Sequence, residues 1–250
     1  MRAGSATRRL RRRGILVVCA MVLLAGHRAG WSQTPATTPP VTVETRAVPD
    51  RDVKQVNAQG IVNAAPHAVR AVIADLERYP AFMPYVKESH VLSRDPNGDV
   101  LNYQRLSFGM LFVQDRHYVI RIAERRYRDA DGRQAYAFVW RLEDGLPPGV
   151  SADAAVRVSV NSGYWDLRPV KGSDSSTDVR YCVFTDPAGS LPKWLVGLAN
   201  TEGVPQLFAA VASTAASPRY ATLAAPAGDG EIGDRPALAD CADTSQPSAR

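Results

Sequence analysis

The sequence predicts an α+β fold in which an antiparallel sheet packs against helices, and three observations carry that expectation. A proline-led stretch from Pro66 places Val69, Val72, Ile73 and Leu76 at helical spacing. A run of β-branched and aromatic segments follows, joined by connections too short for parallel crossovers. A second proline-led stretch, Ser190-Leu-Pro192, then leads into Ala-rich, helix-forming sequence that ends near Ala216.

The elements follow in order. Residues 53–63 read as the first strand of the domain. Pro66 opens a helix at a position where its missing donor costs nothing. Arg70, Asp75 and Glu77 lie off the apolar stripe, and Tyr79-Pro80 is expected to stop the helix. Strands are predicted over 87–93, 100–108, 113–125, 134–142, 154–168 and 177–185. Asp95-Pro-Asn-Gly98 and the segment from Tyr127 to Gly132 supply two of the turns. In the last helix Leu195 and Leu198 begin a face that Leu207, Phe208 and Val211 continue. Gly203 and Pro205 predict a kink or two segments.

Outside this domain the chain changes character. Arg2, Arg8, Arg9, Arg11, Arg12 and Arg13 precede an apolar run from Ile15 to Ala25, the pattern of a secretory signal peptide over residues 1–32. The run is short against the ~20 apolar residues of a spanning helix. Cleavage fits after Ser32, with Ala29 as an alternative, and the protein is expected to be periplasmic or secreted. An uncleaved anchor is the other reading. Residues 33–52 read as an extended linker, 53–220 as one domain, and 221–250 as a disordered tail with few large apolar side chains.

The leader also distorts the charge. The chain has 30 Lys+Arg against 25 Asp+Glu, a net +5. Residues 1–32 hold seven arginines and no acid, leaving 23 basic and 25 acidic residues and a net −2. Such a balance offers no electrostatic footprint for nucleic acid or strongly anionic membranes. An oxidising compartment permits a Cys182–Cys241 bridge. With Cys182 in a strand and Cys241 in a polar tail, however, the residues read better as a buried, inert thiol at Cys182.

Three phrases carry a resemblance: Asp75-Leu-Glu-Arg-Tyr-Pro-Ala-Phe-Met-Pro84, Asp115-Arg-His-Tyr-Val119 and Asp178-Val-Arg-Tyr-Cys-Val-Phe-Thr-Asp-Pro187. Together with the order of elements over residues 53–218, they resemble the START-type domain of the helix-grip (Bet v 1-like, polyketide cyclase/START) superfamily. The resemblance implies a curved antiparallel sheet wrapped around a long C-terminal helix, enclosing an apolar cavity. The partner it implies is a lipid, sterol or similar hydrophobic molecule, with transient membrane contact.

Alternation along the strands supplies the candidate residues. Arg116, Tyr118, Ile120 and Ile122 share one face, opposite Asp115, His117, Val119 and Arg121. The mostly apolar face is expected to point inward and to bring Arg116 with it, near a ligand's polar head. By itself Arg116 reads better as a rim residue paired with a carboxylate. A β-bulge near Tyr118 would turn Arg121 inward instead. Tyr136, Phe138, Trp140 and Leu142 form a second inward face, and Val156, Val158 and Val160 a third, with Tyr164 and Trp165 further on. Such stripes are ordinarily filled core; the resemblance implies a cavity instead. Met83 and Tyr85 are placed at one end and Trp194 and Leu195 at the other. The candidate ligand-binding residues are therefore Arg116, Tyr118, Ile120, Phe138, Trp140, Met83, Tyr85, Trp165 and Leu195.

Catalytic and metal chemistry find little support. His27, His67, His90 and His117 show no metal-ligand spacing, and no cofactor is implied. The sequence has no nucleophile elbow, phosphate loop or dinucleotide fingerprint. Asp75 and Glu77, two apart on a helix, do not share a face. The expected function is ligand carriage without catalysis. Its rivals are a cyclase or aromatase using Arg116, Tyr118 and Trp140 for proton transfer, and an envelope interaction module with a filled core.

Overall fold

A computed structural model describes residues 40–51, 53–189, 202–223, 232–238 and 241 of the 250. The signal-peptide expectation and the candidates Trp194 and Leu195 lie outside the described residues. The strands are β1 (Thr42–Ala47), β2 (Lys54–Val62), β3 (Val86–Arg94), β4 (Val100–Leu106), β5 (Arg116–Arg128), β6 (Gln134–Glu143), β7 (Val156–Arg157), β8 (Val160–Pro169) and β9 (Thr177–Asp186). Eight of them form one path in the order β1-β2-β9-β8-β6-β5-β4-β3, antiparallel throughout. β7 pairs parallel with the start of β5, where β6 no longer reaches. The sheet is curved and does not close.

β1 corrects the linker expected over residues 33–52. Its side chains are largely exposed, so it carries no inward apolar face that alternation would reveal. It nonetheless pairs in full with β2, Thr42 opposite Gln59 and Ala47 opposite Lys54.

Helix α1 (Pro66–Ala74) buries Ala68, Val69, Val72 and Ile73 against the sheet. Arg70, on its other side, grips Glu124 of β5 through two hydrogen bonds of 2.8 and 2.7 Å. The helix ends earlier than Tyr79-Pro80 predicts. Asp75 leaves helical geometry with φ −84° and ψ 58°, and a short 3-10 turn (Leu76–Arg78) follows. Pro80 then opens the single turn α2 (Tyr79–Phe82), because a proline lacks only a donor that the first turn leaves free.

Helix α3 (Val204–Ala215) buries Val204, Phe208, Val211 and Ala215 along one stripe. It crosses β2 at Gly60, where an added Cβ would sit 3.3 Å from the Phe208 ring. Gly203 and Pro205 stand at its N-terminal end, so their break falls there; the segment expected ahead of it, 190–201, lies outside the described residues. The short α4 (Pro218–Ala221) returns to α1, where the Tyr220 hydroxyl donates to Asp75 Oδ2 at 2.7 Å.

The outer face corrects two further expectations. Cys182 and Cys241 form a disulfide across 59 residues, so Cys182 is not a free thiol. Residues 232–238 and 241, expected within a disordered tail, lie against the sheet. Ile232 bridges to Arg126, Arg235 donates to Asp166 Oδ2 at 3.0 Å, and Ser162 donates to the Cys241 carbonyl at 2.8 Å. Composition argues against an independent hydrophobic core in such a segment, but the disulfide, the Arg235–Asp166 ion pair and Leu238 packed on the Tyr127 cluster hold it to the folded sheet.

Candidate functional site

Between the inner face of the sheet and the helices lies a cavity of about 720 Å³. The aromatic stripes therefore do not fill the interior. β5 contributes Arg116, Tyr118, Ile120 and Ile122 to the wall, all on one face because its pairing with β4 and β6 shows no register shift. Arg121 points outward, to Glu143 and Asp95. β6 adds Phe138 and Trp140, β8 adds Trp165, and the turn after α2 adds Met83 and Tyr85. Eight of the nine sequence candidates thus line one cavity, and Leu195 is outside the described residues.

The third stripe changes phase. β7 and β8 are separate strands, broken at Val158 and Ser159. Val158 faces the cavity, but Val160 packs outward with Tyr164 beside the disulfide. In exchange Asn161 joins Trp165 on the inner face. A sequence read as one strand over 154–168 misses this switch.

Trp140 owes its position to a glycine. It sits opposite Gly163 of β8, where a Cβ would come within 2.4 Å of the indole and 2.3 Å of the Cys182 carbonyl. The indole N–H donates to Asn161 Oδ1 at 2.9 Å. Nearby, Tyr118 donates to Gln104 Oε1 at 2.8 Å, and Gln104 passes a donor to Asn102 Oδ1 at 2.9 Å. Tyr79 donates to the Ile73 carbonyl at 2.6 Å. Asn161, Gln104 and Tyr181, all on the wall, escaped the sequence reading. Tyr181 was detectable, since Tyr181, Val183 and Thr185 alternate on β9; the two amides carry no periodic signal.

Arg116 differs from its expected role at the rim. It is only 3% exposed and has no carboxylate partner among the described residues. Instead Nε donates to the Pro187 carbonyl and Nη2 to that of Ala188, each at 3.1 Å, while Nη1 donates to Gln114. Burial lowers its pKa from the ordinary guanidinium value. Burial also pushes the phenols of Tyr79, Tyr118 and Tyr181 upward, so all three stay protonated donors at neutral pH.

At one end the backbone is strained. Tyr85 adopts φ 65°, unusual for a residue with a side chain. Its ring meets Phe108 at 5.5 Å, and its hydroxyl reaches Gln206 of α3 at 3.4 Å. Just beyond Phe108, Leu111 and Phe112 are each 98% exposed.

A curved antiparallel sheet, a helix laid across it and an apolar cavity between them define the START, or helix-grip, class. The chain belongs to the polyketide cyclase/dehydrase and lipid transport family, whose model matches residues 62–212, more than half of its length. No curated protein matches the sequence. Among solved structures it is similar to a STAR-related lipid transfer protein from Xanthomonas axonopodis, with 23% identity and a TM-score of 0.58. That match covers 71% of this chain and 94% of the other. Human StAR-related lipid transfer protein 5 gives 16% identity and a TM-score of 0.60, covering 70% and 81%. Human STARD10 gives 18% and 0.59, covering 70% and 69%. At these identities the likeness establishes the fold.

Proposed function

We propose that the protein is a periplasmic or secreted carrier that sequesters a lipid or other hydrophobic small molecule in this cavity. The observation that carries the reading is the 720 Å³ space itself, walled mainly by Tyr118, Ile120, Phe138, Trp140, Trp165 and Met83. Its volume falls within the ~300–1,000 Å³ of small-molecule sites. Apolar ligand surface buried there gains ~25 cal/mol per Å² without a catalytic group. A filled-core interaction module would need no such space.

Among the described wall residues the titratable groups are tyrosines, Arg116 and an exposed Lys54. Phenols held protonated and a guanidinium bonded to carbonyls are poor bases, which supports carriage over cyclase chemistry. The Cys182–Cys241 disulfide supports an oxidising compartment. Leu111 and Phe112, exposed beside the Tyr85–Phe108 contact, support transient docking of this end on a membrane. Native mass spectrometry of the protein purified from its own compartment tests the reading. A co-purifying hydrophobic ligand is expected; repeated isolation of empty protein that also fails to take up fluorescent lipid overturns it.

A further inference from the structure

We infer that the ligand is uncharged and places one hydrogen-bond-accepting oxygen, a hydroxyl or ketone, on the hydroxyl of Tyr181. The inference rests on the carrier reading and adds the chemistry of the head group.

Nearly all the polar side chains of the wall are already engaged. Tyr79, Tyr118 and Trp140 donate to Ile73, Gln104 and Asn161, and Thr185 donates to the Val160 carbonyl at 3.0 Å. Tyr181 makes no hydrogen bond to any described residue, yet it lines the cavity. Its ring is held in place by Trp165 at 4.4 Å and Trp140 at 6.0 Å, and its strand neighbour on β2 is the small Ala58. Tyr181 is only half-buried, and once an apolar ligand displaces water from the cavity its hydroxyl is left without a partner, at a cost; a ligand oxygen is the acceptor it then lacks. Trp140, Tyr181 and Trp165 form a continuous aromatic wall for the ligand's apolar body.

The surroundings select against charge. An anionic head beside Tyr181 would be desolvated without a cation. Arg116 spends donors on three backbone carbonyls, one of them Pro187, and six residues of strand place Pro187 about 20 Å along β9 from Tyr181. Lys54 is exposed at the sheet edge. A neutral oxygen needs only the hydrogen bond.

The test uses the full chain and three probes with the same pyrenyl alkyl tail: an alcohol, a carboxylic acid ionised at neutral pH, and the plain hydrocarbon. The alcohol is expected to bind about three- to tenfold more tightly than the hydrocarbon, the worth of one hydrogen bond, and more tightly than the acid. Tyr181→Phe should erase the alcohol's advantage while hydrocarbon binding is retained or tightened, since the unpartnered hydroxyl is gone; an unchanged unfolding midpoint reports the intact fold. Tighter binding of the acid overturns the inference and moves the head to Arg116, leaving the carrier reading standing. An alcohol advantage that is absent, or that survives Tyr181→Phe, overturns it too. Failure of all three probes to bind sinks the carrier reading and the inference with it.

Discussion

Arg116, at the first position of β5, donates from Nε to the carbonyl of Pro187, just past the end of β9, at 3.1 Å. With the companion bond to Ala188, the guanidinium ties a wall strand to the segment that leaves the sheet toward the C-terminal helix. A buried cation satisfied by carbonyl dipoles is a clamp between two chain segments.

Arg116→Ala should therefore act on stability first. Removing three charge-assisted bonds and leaving carbonyls unsatisfied is expected to cost about 2–4 kcal/mol in urea unfolding. Arg116→Lys should recover only part, because an ammonium does not reproduce the planar fork. Unchanged stability in both variants would refute the clamp.

Gly163→Ala is the smallest change aimed at the wall. The added methyl would overlap both the Trp140 indole and the Cys182 carbonyl. Overpacking of this kind costs about 1–3 kcal/mol, and the displaced indole should alter tryptophan fluorescence. Retention of the wild-type spectrum and stability counts against the described packing.

His117 should make stability pH-dependent. Burial, then the cationic Arg105 and Arg157, hold its pKa below the ordinary imidazole value. Both ring nitrogens lack partners among the described residues, and Tyr103 meets the ring edge-on at 6.1 Å. A depressed folded pKa means that the unfolded chain takes up the proton first. The contribution is therefore complete above about pH 6.5 and lost as pH falls through the lower folded value. Urea midpoints measured between about pH 7.5 and 5 should fall for the wild type and flatten in His117→Phe; identical slopes would exclude His117 as the cause.

Cys241→Ser should loosen the outer face. Opening a link across 59 residues is expected to cost about 2–4 kcal/mol. Hydrogen exchange should rise at Ile232 and Gly233, whose amide donates to the Arg126 carbonyl at 2.9 Å. Equal protection in the two proteins would show that Arg235 and Ser162 hold the segment unaided.

Leu111→Ser combined with Phe112→Ser tests membrane docking. Both side chains are almost wholly exposed, so stability should change by less than about 0.5 kcal/mol. Vesicle-to-vesicle transfer of fluorescent lipid should slow severalfold, and an undiminished rate would place docking elsewhere.

Much of the wall was legible because β5 and β6 keep strict alternation without a bulge. Tyr118, Ile120, Phe138 and Trp140 could be assigned to one side from spacing alone. Legibility failed where periodicity broke. The interruption at Val158 and Ser159 sent Val160 outward and Asn161 inward. β1, with few buried side chains, carried no pattern to read.

By itself the sequence determined the period-two faces, the two apolar helix stripes, the turns and the resemblance to the START class, because these depend on backbone geometry over a few neighbouring residues. Tertiary structure alone decided how polar groups pair. It joined Cys182 to Cys241 and delivered the Pro187 carbonyl to Arg116 across 71 residues. It also left the Tyr181 hydroxyl on the wall without a hydrogen-bond partner among the described residues. Which donor meets which acceptor is settled when distant strands come into register, and no local spacing encodes that.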